Sequence, residues 1–460
     1  MCGIFGVHGH DDAVHLAQLG LYSLQHRGQE SVGVAVFDDQ GAARVVRSMG
    51  TISPGMATEL GTLRGQMAVG HTRYSTAGSS TIDNAQPVFV RSRGGYIALA
   101  HNGNLINAGE LRQDLEATGS IFSSTMDSEV IVHRLAKSTA PTPDGRVSEA
   151  LQGVEGAYSL IIGLGDTLIA ARDPRGWRPL VMGRMNGSVV FASETCALDI
   201  VGAKYEREVR PGEVIAVDAQ GMRSSFPFEK KALRRCVFEY VYFARPDSKL
   251  FADGSVDRAR RALGKQLARE HPAEGADLVF AVPDSSNSAA LGYAEESGLP
   301  FEFALIRNHY VGRTFIQPTQ VDRDAKVKVK YNAVREVVEG KSVVMVDDSI
   351  VRGTTTRGLV SLVRAAGARE VHMRVSSPPI TGPCYYGIDT PTREELIAAN
   401  LDLEGIRQHL GVDTVGYLSL DGMLGSVPGG PHGFCHACFS GDYPTPPPTD
   451  PDKLRFGCGC

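Results

Sequence analysis

Short apolar runs separated by glycine-rich turns fill the first half of the chain, up to about residue 230. Runs such as Ser31–Phe37 and Ser188–Ala192 have the length and residue types of single strands. Further strands are predicted at 66–70, 96–100 and 158–163, and helices at 13–25 and 128–137. This mixture predicts packed layers of sheet and helix.

Strands and helices alternate beyond about residue 236. The predicted strands are 278–282, 342–346 and 371–375, and the first two lead through polar loops into helices at 289–296 and 355–366. Buried parallel strands have this pattern, and ligands bind beyond their carboxyl ends. We therefore place one domain at 2–230 and a second at 231–420. The Gly-, Pro- and Cys-rich segment 421–460 is expected to pack on the second domain.

Composition is that of a globular protein of two or three domains, with 460 residues, 42% of them hydrophobic and 22% charged. The net charge of −5 gives no reason to expect a nucleic-acid partner. No apolar run approaches the ~20 residues of a membrane helix, and no secretory signal is visible. We expect a cytoplasmic protein, in which the eight cysteines are catalytic or metal-binding rather than disulfide-bonded.

Cys2 becomes the first residue if Met1 is removed, and it then carries a thiol and a free α-amine. An amine that titrates at about 7.7–8.0 can take the thiol proton as a built-in base. A chance cysteine after the start codon is the alternative. Asn102 and Gly103 follow the predicted strand 96–100 and offer two donors to an oxyanion, or they form an ordinary turn.

Three charged residues in this half suit an amino-acid substrate. Arg73 can hold a carboxylate by a two-pronged salt bridge, or lie solvated on the surface. Asp127 can bind an ammonium group, or cap the predicted helix. Arg27 can support the site, or close the end of the first helix.

In this order, these residues resemble the glutaminase domain of the N-terminal-nucleophile amidotransferases. The resemblance implies a four-layer αββα sandwich over residues 2–230 that hydrolyses glutamine. It makes Cys2 the nucleophile and Asn102 with Gly103 the oxyanion hole. The glutamine-binding residues that it implies are Arg27, Arg73 and Asp127.

The stretch 343–355 is the most specific in the chain. An apolar strand ends in the adjacent acids Asp347 and Asp348, and a Gly/Thr loop then opens a helix. Backbone N–H groups of such a loop suit a phosphate, and the acids can hold ribose hydroxyls, directly or through Mg²⁺. An ordinary loop with a capping aspartate is the alternative.

This pattern resembles the phosphoribosyl pyrophosphate (PRPP) fingerprint of the type I phosphoribosyltransferases, which implies an α/β domain with a parallel sheet. The implied PRPP-binding residues are Asp347, Asp348, Ser349, Arg352, Gly353, Thr354, Thr355 and Lys330. Ser285 and the two acids would bind Mg²⁺, and residues 310–318 would form a flexible lid or a plain surface loop. Lys330 lies in a basic run that can equally be the exposed face of a strand.

Cys435 and Cys438 form a Cys-x₂-Cys pair, whereas Cys236 and Cys384 stand alone. Four thiolates can ligate a [4Fe–4S] cluster or Zn²⁺, or the thiols can remain free and buried. The segment 238–248 and the chain as a whole resemble the glutamine phosphoribosylpyrophosphate amidotransferase family. Its cluster-bearing branch has cysteines at positions matching these four, which implies a structural cluster. No role is assigned to the remaining cysteines, Cys196, Cys458 and Cys460.

The resemblance implies that ammonia from glutamine displaces pyrophosphate from C1 of PRPP, which gives 5-phosphoribosylamine and opens de novo purine synthesis. It also implies a homotetramer inhibited by purine nucleotides. Two alternatives are another glutamine amidotransferase, such as a hexosamine-phosphate synthase, and a PRPP-binding regulatory protein without turnover. Retention of Met1 would block the amine of Cys2 and is expected to abolish glutaminase activity.

Overall fold

The computed structural model describes residues 1–75, 78–251, 254–309, 329–390 and 392–448. Its strands are β1 Gly3–His8, β2 Ser31–Phe37, β3 Ala43–Met49, β4 Met67–Arg73, β5 Val88–Ser92, β6 Gly95–Leu105, β7 Gly156–Leu164, β8 Thr167–Arg172, β9 Val181–Met185, β10 Ser188–Ala192, β11 Lys204–Glu208, β12 Val214–Asp218, β13 Gly221–Ser225, β14 Arg235–Cys236, β15 Lys249–Leu250, β16 Gly254–Ser255, β17 Leu278–Ala281, β18 Leu305–Arg307, β19 Tyr331–Ala333, β20 Ser342–Asp347, β21 Glu370–Val375, β22 Thr414–Tyr417 and β23 Phe434–Cys435.

The α-helices in these ranges are Ala13–Ser23, Pro54–Gly61, Ala108–Ala117, Glu129–Lys137, Pro143–Ala150, Thr195–Val201, Val256–Glu270, Asn287–Ser297, Arg335–Val338, Thr354–Ala365, Ile397–Asn400, Leu403–Leu410, Leu420–Ser426 and Ala437–Ser440. Short 3₁₀ turns occur at Gln25–Arg27, Ile82–Asn84 and Arg393–Glu395, and residues Glu239–Phe243 form a π-helical turn. Within the described ranges, no helix combines the length and the apolar character needed to cross a membrane.

Two antiparallel sheets stack face to face in the first half of the chain. One has the strand order β11-β9-β10-β1-β4-β2-β3 and the other β13-β12-β8-β7-β6-β5. Buried side chains from both sheets, among them Ile4, Phe37 and Ile161, fill the space between them. Helices such as Ala13–Ser23 cover the outer face of the first sheet, and helices such as Glu129–Lys137 cover the second. The predicted αββα sandwich is therefore confirmed.

A four-stranded parallel sheet with the order β17-β20-β21-β22 forms the centre of the second half. Along β20, Val344 and Val346 face one core and Val343 and Met345 face the other, because successive side chains of a strand alternate between its faces. Helices pack on both faces, as a buried parallel sheet requires. The predicted α/β domain is confirmed.

The last described segment returns to the start of the second half. Met423, Leu424 and Phe439 lie in the same core as Val344, and β23 pairs in parallel with β14. This pairing brings Cys435 opposite Cys236.

The strand predicted at 96–100 is too short, because β6 continues through Asn102 and Gly103 to Leu105, and the alternative of an ordinary turn there does not hold. The partner strand β7 supplies matching backbone groups, with Asn102 opposite Ser159 and Gly103 opposite Tyr158. Gly103 has φ +157°, and a Cβ there would lie 1.9 Å from the carbonyl oxygen of Ala157. The glycine is thus needed for close strand packing rather than for a hairpin turn. The predicted lid at 310–318 lies outside the described residues.

We expect Gly20→Ala to lower the free energy of unfolding by about 1–3 kcal/mol, because overpacking a filled core strains it. A Cβ at Gly20 would lie 2.3 Å from the ring of Phe5. The matched control is Gly109→Ala, also in a helix, where a Cβ meets no atom within 4 Å. Urea unfolding followed by the fluorescence of the one tryptophan, Trp177, measures both variants. Equal midpoints for the two variants would contradict this packing argument.

Candidate active sites

The first candidate site is a small pocket where β1, β4 and β6 come together. Cys2 directly precedes β1, Arg73 ends β4, and Gly103 lies near the end of β6. The residues that line the pocket are Cys2, Arg73, Tyr74, Ser75, Gln86, His101, Gly103, Met126 and Asp127. The fold thus brings together four residues predicted from widely separated parts of the sequence.

Asn102 is fully buried beside Cys2. The backbone N–H of Cys2 donates to Asn102 Oδ1 at 3.2 Å, and the thiol of Cys2 lies 3.6 Å from the carbonyl oxygen of Tyr74. Asn102 Nδ2 has no hydrogen-bond partner among the described residues. Because a buried N–H without a partner is costly, this amide is suited to an acceptor that arrives with a ligand.

Arg73 and Asp127 are buried in the pocket wall rather than solvated or used as helix caps. Arg73 Nη1 bonds to the carboxylate of Glu30 and to the carbonyl oxygen of Ser79. The backbone N–H of Leu105 donates to Asp127 Oδ2 at 2.8 Å. The helix after Asp127 has Ser128 at its N-cap position. Both predicted substrate-binding side chains are therefore held by specific partners in the pocket.

Asp127 also affects His101, whose Nδ1 lies 3.7 Å from Asp127 Oδ1. Burial acts to lower the pKa of His101, but the Asp127 carboxylate raises it overall. The pocket thus places a carboxylate, a guanidinium and an imidazole around one thiol.

Arg27 does not line the pocket. Its Nε donates to the carbonyl oxygen of Cys2 at 2.9 Å, and its two terminal nitrogens bond to Glu239 at 2.8 and 3.1 Å. One of them also contacts the carboxylate of Glu194. A contact with glutamine stays a prediction for Arg27, whose guanidinium here holds the backbone of Cys2.

The second candidate site lies at the carboxyl end of β20, where Asp347 and Asp348 are both buried. Ser286 Oγ donates to Asp347 Oδ1 at 3.1 Å and lies 3.4 Å from Asp348 Oδ2. Ser285 and Ser349 also hydrogen-bond to Asp348. Burial, followed by repulsion from Asp348, raises the pKa of Asp347 well above its usual range. Two adjacent buried carboxylates disfavour being ionised together, so the pair is suited to a proton or a cation.

The loop after the acids contains Gly353 with φ +76°, and it opens the helix at Thr354 and Thr355. Arg352 pairs with Glu395 at 2.9 Å. Lys330 Nζ lies 5.3 Å from the ring centre of Tyr331, whose hydroxyl is 3.5 Å from the carbonyl oxygen of Pro283. Lys330 and the loop containing Ser285 are thus neighbours through Tyr331.

The four cysteines of the predicted cluster converge on one region. Cys236 and Cys435 face each other across β14 and β23. After burial, the charges of Cys384, Cys236 and Cys435 raise the pKa of Cys438, so the four groups lie within electrostatic range. In the described part of the chain, no group of three or more His, Cys, Asp or Glu is arranged to hold a single metal ion.

The segment after Cys384 packs directly on the first site. The side-chain amide of Asn104 donates to the carbonyl oxygen of Tyr385 at 2.9 Å. A Cβ on Gly387, which has φ +102°, would lie 2.8–2.9 Å from backbone atoms of Gly103. The cysteine region therefore contacts the strand that carries Asn102 and Gly103.

Several residues at these sites were missed by the sequence analysis. In the first site they are Glu30, Tyr74, Ser75, Gln86, His101 and Met126, and in the second they are Ser286 and Arg260. Gln86 Oε1 accepts from the backbone N–H of His101, a long-range contact that no local pattern indicates. Ser286 was discoverable, because it adjoins Ser285 in a loop already expected to lie near the acids.

The fold and the first site define a glutamine amidotransferase of the N-terminal-nucleophile class, joined to a domain of phosphoribosyltransferase type. Residues 71–199 match the family model of the glutamine amidotransferase domain. Amidophosphoribosyltransferase of Bacillus subtilis is 49% identical over 453 residues, which are 96% of this chain and 94% of that protein. Amidophosphoribosyltransferase 1 of Arabidopsis thaliana, a chloroplast protein, is 49% identical over 97% of this chain and 79% of its own length.

The structure of glutamine PRPP amidotransferase from Bacillus subtilis, complexed with ADP and GMP, superimposes with a TM-score of 0.92 and 47% identity, covering 98% of this chain and 99% of that chain. The chain belongs to the amidophosphoribosyltransferase family of glutamine-dependent glycosyltransferases in purine biosynthesis. The alternative of a regulatory protein without turnover receives no support from these relatives.

The buried His71 gives the first domain a pH dependence that can be measured. Burial lowers its pKa to about 3, whereas an imidazole in an unfolded chain titrates near 6.5. The unfolded chain therefore binds more protons between these values, and stability falls as the pH drops through that window.

Between pH 7 and pH 5 the free energy of unfolding of the native protein should fall as His71 protonates in the unfolded chain. We expect this fall to be about 2 kcal/mol smaller in the His71→Gln variant. The glutamine amide can still donate to the carbonyl oxygen of His101, as His71 Nε2 does at 3.1 Å, but it does not ionise. Urea unfolding at the two pH values measures the difference. Parallel losses in the two proteins would contradict the assignment.

Proposed function

We propose that Cys2, once Met1 is removed, hydrolyses glutamine and that the second site uses the ammonia to aminate PRPP. The observation that carries the proposal is the buried amide of Asn102, which has no partner among the described residues and lies beside Cys2. Arg73 and Asp127 bind the α-carboxylate and α-ammonium of glutamine, which matches their charges and their place in the pocket wall.

In the first step, the Cys2 amine takes the thiol proton and Sγ attacks the side-chain amide carbon of glutamine. Asn102 Nδ2 and the N–H of Gly103 donate to the oxyanion that develops on the amide oxygen. Collapse of this intermediate releases ammonia and leaves a thioester, which water hydrolyses to glutamate and free Cys2. The balance is glutamine plus water to glutamate plus ammonia.

At the second site, ammonia displaces pyrophosphate from C1 of PRPP and gives 5-phosphoribosylamine. Asp347 and Asp348 hold the ribose hydroxyls, and N–H groups and hydroxyls from Ser349, Gly353, Thr354 and Thr355 bind the 5-phosphate at the start of the helix. Arg352 and Lys330 would add positive charge near the phosphates. The buried acids with Ser285 would hold Mg²⁺ as the hard oxygen donors that it prefers, and the bound ion would supply positive charge to neutralise pyrophosphate.

We further propose that Cys236, Cys384, Cys435 and Cys438 hold a structural [4Fe–4S] cluster. The convergence of the four thiols supports this site, since Cys236 and Cys435 face each other and the other two lie within electrostatic range, and thiolates are the usual ligands of such clusters. Bound there, the cluster would supply cross-links between the tail and the second domain rather than redox chemistry. The domain limits at residues 230 and 420 belong to this proposal.

A homotetramer with purine-nucleotide inhibition completes the proposal. The structural relative from Bacillus subtilis is complexed with ADP and GMP, and its superposition covers 98% of this chain and 99% of that chain. ADP and GMP are therefore the first ligands to test. A cytoplasmic location fits the described cysteines, all of which are free, because reduced thiols persist there.

We expect Asn102→Ala to lower kcat for glutamine hydrolysis by about 10²–10³-fold, the usual effect of losing one oxyanion donor. Synthesis of 5-phosphoribosylamine from PRPP and added ammonium should stay near the native rate, because Asn102 belongs to β6 of the first domain and the acid pair follows β20 of the second. Glutamate release and PRPP consumption, measured separately, test both arms. Unchanged glutamate release would remove Asn102 from the mechanism.

PRPP with Mg²⁺ is expected to stimulate glutamate release by the native protein strongly, because the two sites belong to one coupled enzyme. Asp348→Asn should lose PRPP consumption with either nitrogen source, since its buried carboxylate faces the ribose. Anaerobically purified protein is the sample, with basal glutamate release of the variant as the control for folding. Stimulation that is absent in the native protein, or intact PRPP consumption in the variant, would overturn the assignment of the second site.

A further inference from the structure

Glu239 is a fully buried carboxylate that belongs to the second half of the chain yet pairs with Arg27 of the first half. Its Oε1 and Oε2 accept from Arg27 at 2.8 and 3.1 Å, a two-pronged pair. Arg27 in turn donates from Nε to the carbonyl oxygen of Cys2 at 2.9 Å. One guanidinium thus separates Glu239 from the backbone of the nucleophile.

The surroundings of this pair leave little freedom of movement. Arg178, also fully buried, lies 3.4 Å from Glu239 Oε1 and donates twice to the carbonyl oxygen of Tyr386. On its other side Arg27 contacts Glu194, which accepts from the backbone N–H of Arg245 at 2.9 Å. Two buried arginines and two buried glutamates therefore balance each other's charge.

The turn that contains Glu239 is held by an arginine of the second domain. Glu239 begins the π-helical turn Glu239–Phe243, and the buried Arg260 donates to the carbonyl oxygens of Tyr240 and Ala244 at 2.8 Å each. The positive charge of Arg260 favours the ionised form of Asp348, so this arginine lies within electrostatic range of that acid. The turn is fixed between the two sites.

We propose that Glu239 is a positioning residue for glutamine hydrolysis, which acts through Arg27 on the backbone of Cys2. Directional bonds to a planar guanidinium set where the Cys2 carbonyl lies, and thereby where Sγ sits relative to Asn102. The second domain thus supplies part of the geometry of the first site. This inference rests on the proposed role of Cys2 as the nucleophile.

The test compares Glu239→Gln, which removes the charge, with Glu239→Asp, which keeps the charge and shortens its reach. The matched control is Glu213→Gln, because Glu213 is also buried and forms a two-pronged pair, with Arg207 at 2.8 Å for each bond. Neither Glu213 nor Arg207 lines the Cys2 pocket. Glutamate release gives kcat and KM for glutamine, and PRPP consumption with added ammonium reports separately on the second site.

We expect Glu239→Gln to lower kcat for glutamate release by about 100-fold, the scale of a misplacement of about 1 Å, with KM for glutamine changed far less. The kcat of Glu239→Asp should be about tenfold higher than that of Glu239→Gln, since aspartate keeps the charge but not the full reach. The ammonium-dependent rate should stay near native in both variants, and Glu213→Gln should release glutamate at the native rate.

A parallel loss of both reactions in Glu239→Gln and Glu239→Asp would overturn the inference, because it would indicate general damage. Native kcat for glutamate release in both variants would also overturn it, as would an equal loss in Glu213→Gln. A native protein that releases glutamate but consumes no PRPP with ammonium would refute the proposed second reaction alone, since glutamate release still reports on Glu239.

Discussion

Burying the charges of Arg27, Arg178, Glu194 and Glu239 where the two domains meet constrains the rest of the molecule. Removing ions from water costs several kcal/mol each, and only well-formed mutual pairs offset that cost. Each arginine reaches both a carboxylate and a carbonyl oxygen, of Cys2 in one case and of Tyr386 in the other. The arrangement is favourable only when the first domain, the turn at Glu239 and the segment after Cys384 are all in place.

The same constraint explains how the two sites are built. Each begins where a strand ends, so the sheets set the backbone positions, and buried polar contacts then set the side chains. At Cys2 these contacts come from strands of both stacked sheets and from the second domain. At Asp347 they come from the neighbouring loop after β17, which supplies Ser286. The sheets thus determine where each site lies in the fold, and the buried polar contacts determine where its side chains lie within the site.

Much of the fold was readable from local pattern, because apolar runs such as β2 and β10 begin and end at the predicted residues. The strand β6 was predicted too short, since Asn-Gly is typical of turns and the pairing with β7 that overrides this preference is not local. The partners of Arg27 were unpredictable for the same reason. Glu194 and Glu239 lie 167 and 212 residues away, and although Glu239 lies in the segment 238–248 that resembles the family, no local pattern indicates a contact of either residue with Arg27.

The contact of Gly387 with Gly103 joins two backbones with no side chain between them. A side chain at Gly387 would require the backbone at Gly103 to withdraw, whereas Gly103 is already restricted by Ala157 of β7 in its own domain, so the first domain limits the substitutions that the second can tolerate. A hybrid enzyme assembled from two relatives would therefore need the segment after Cys384 and the strand that carries Gly103 to come from the same relative. Shuffling at the domain boundary alone would place Gly387 against a strand from a different relative.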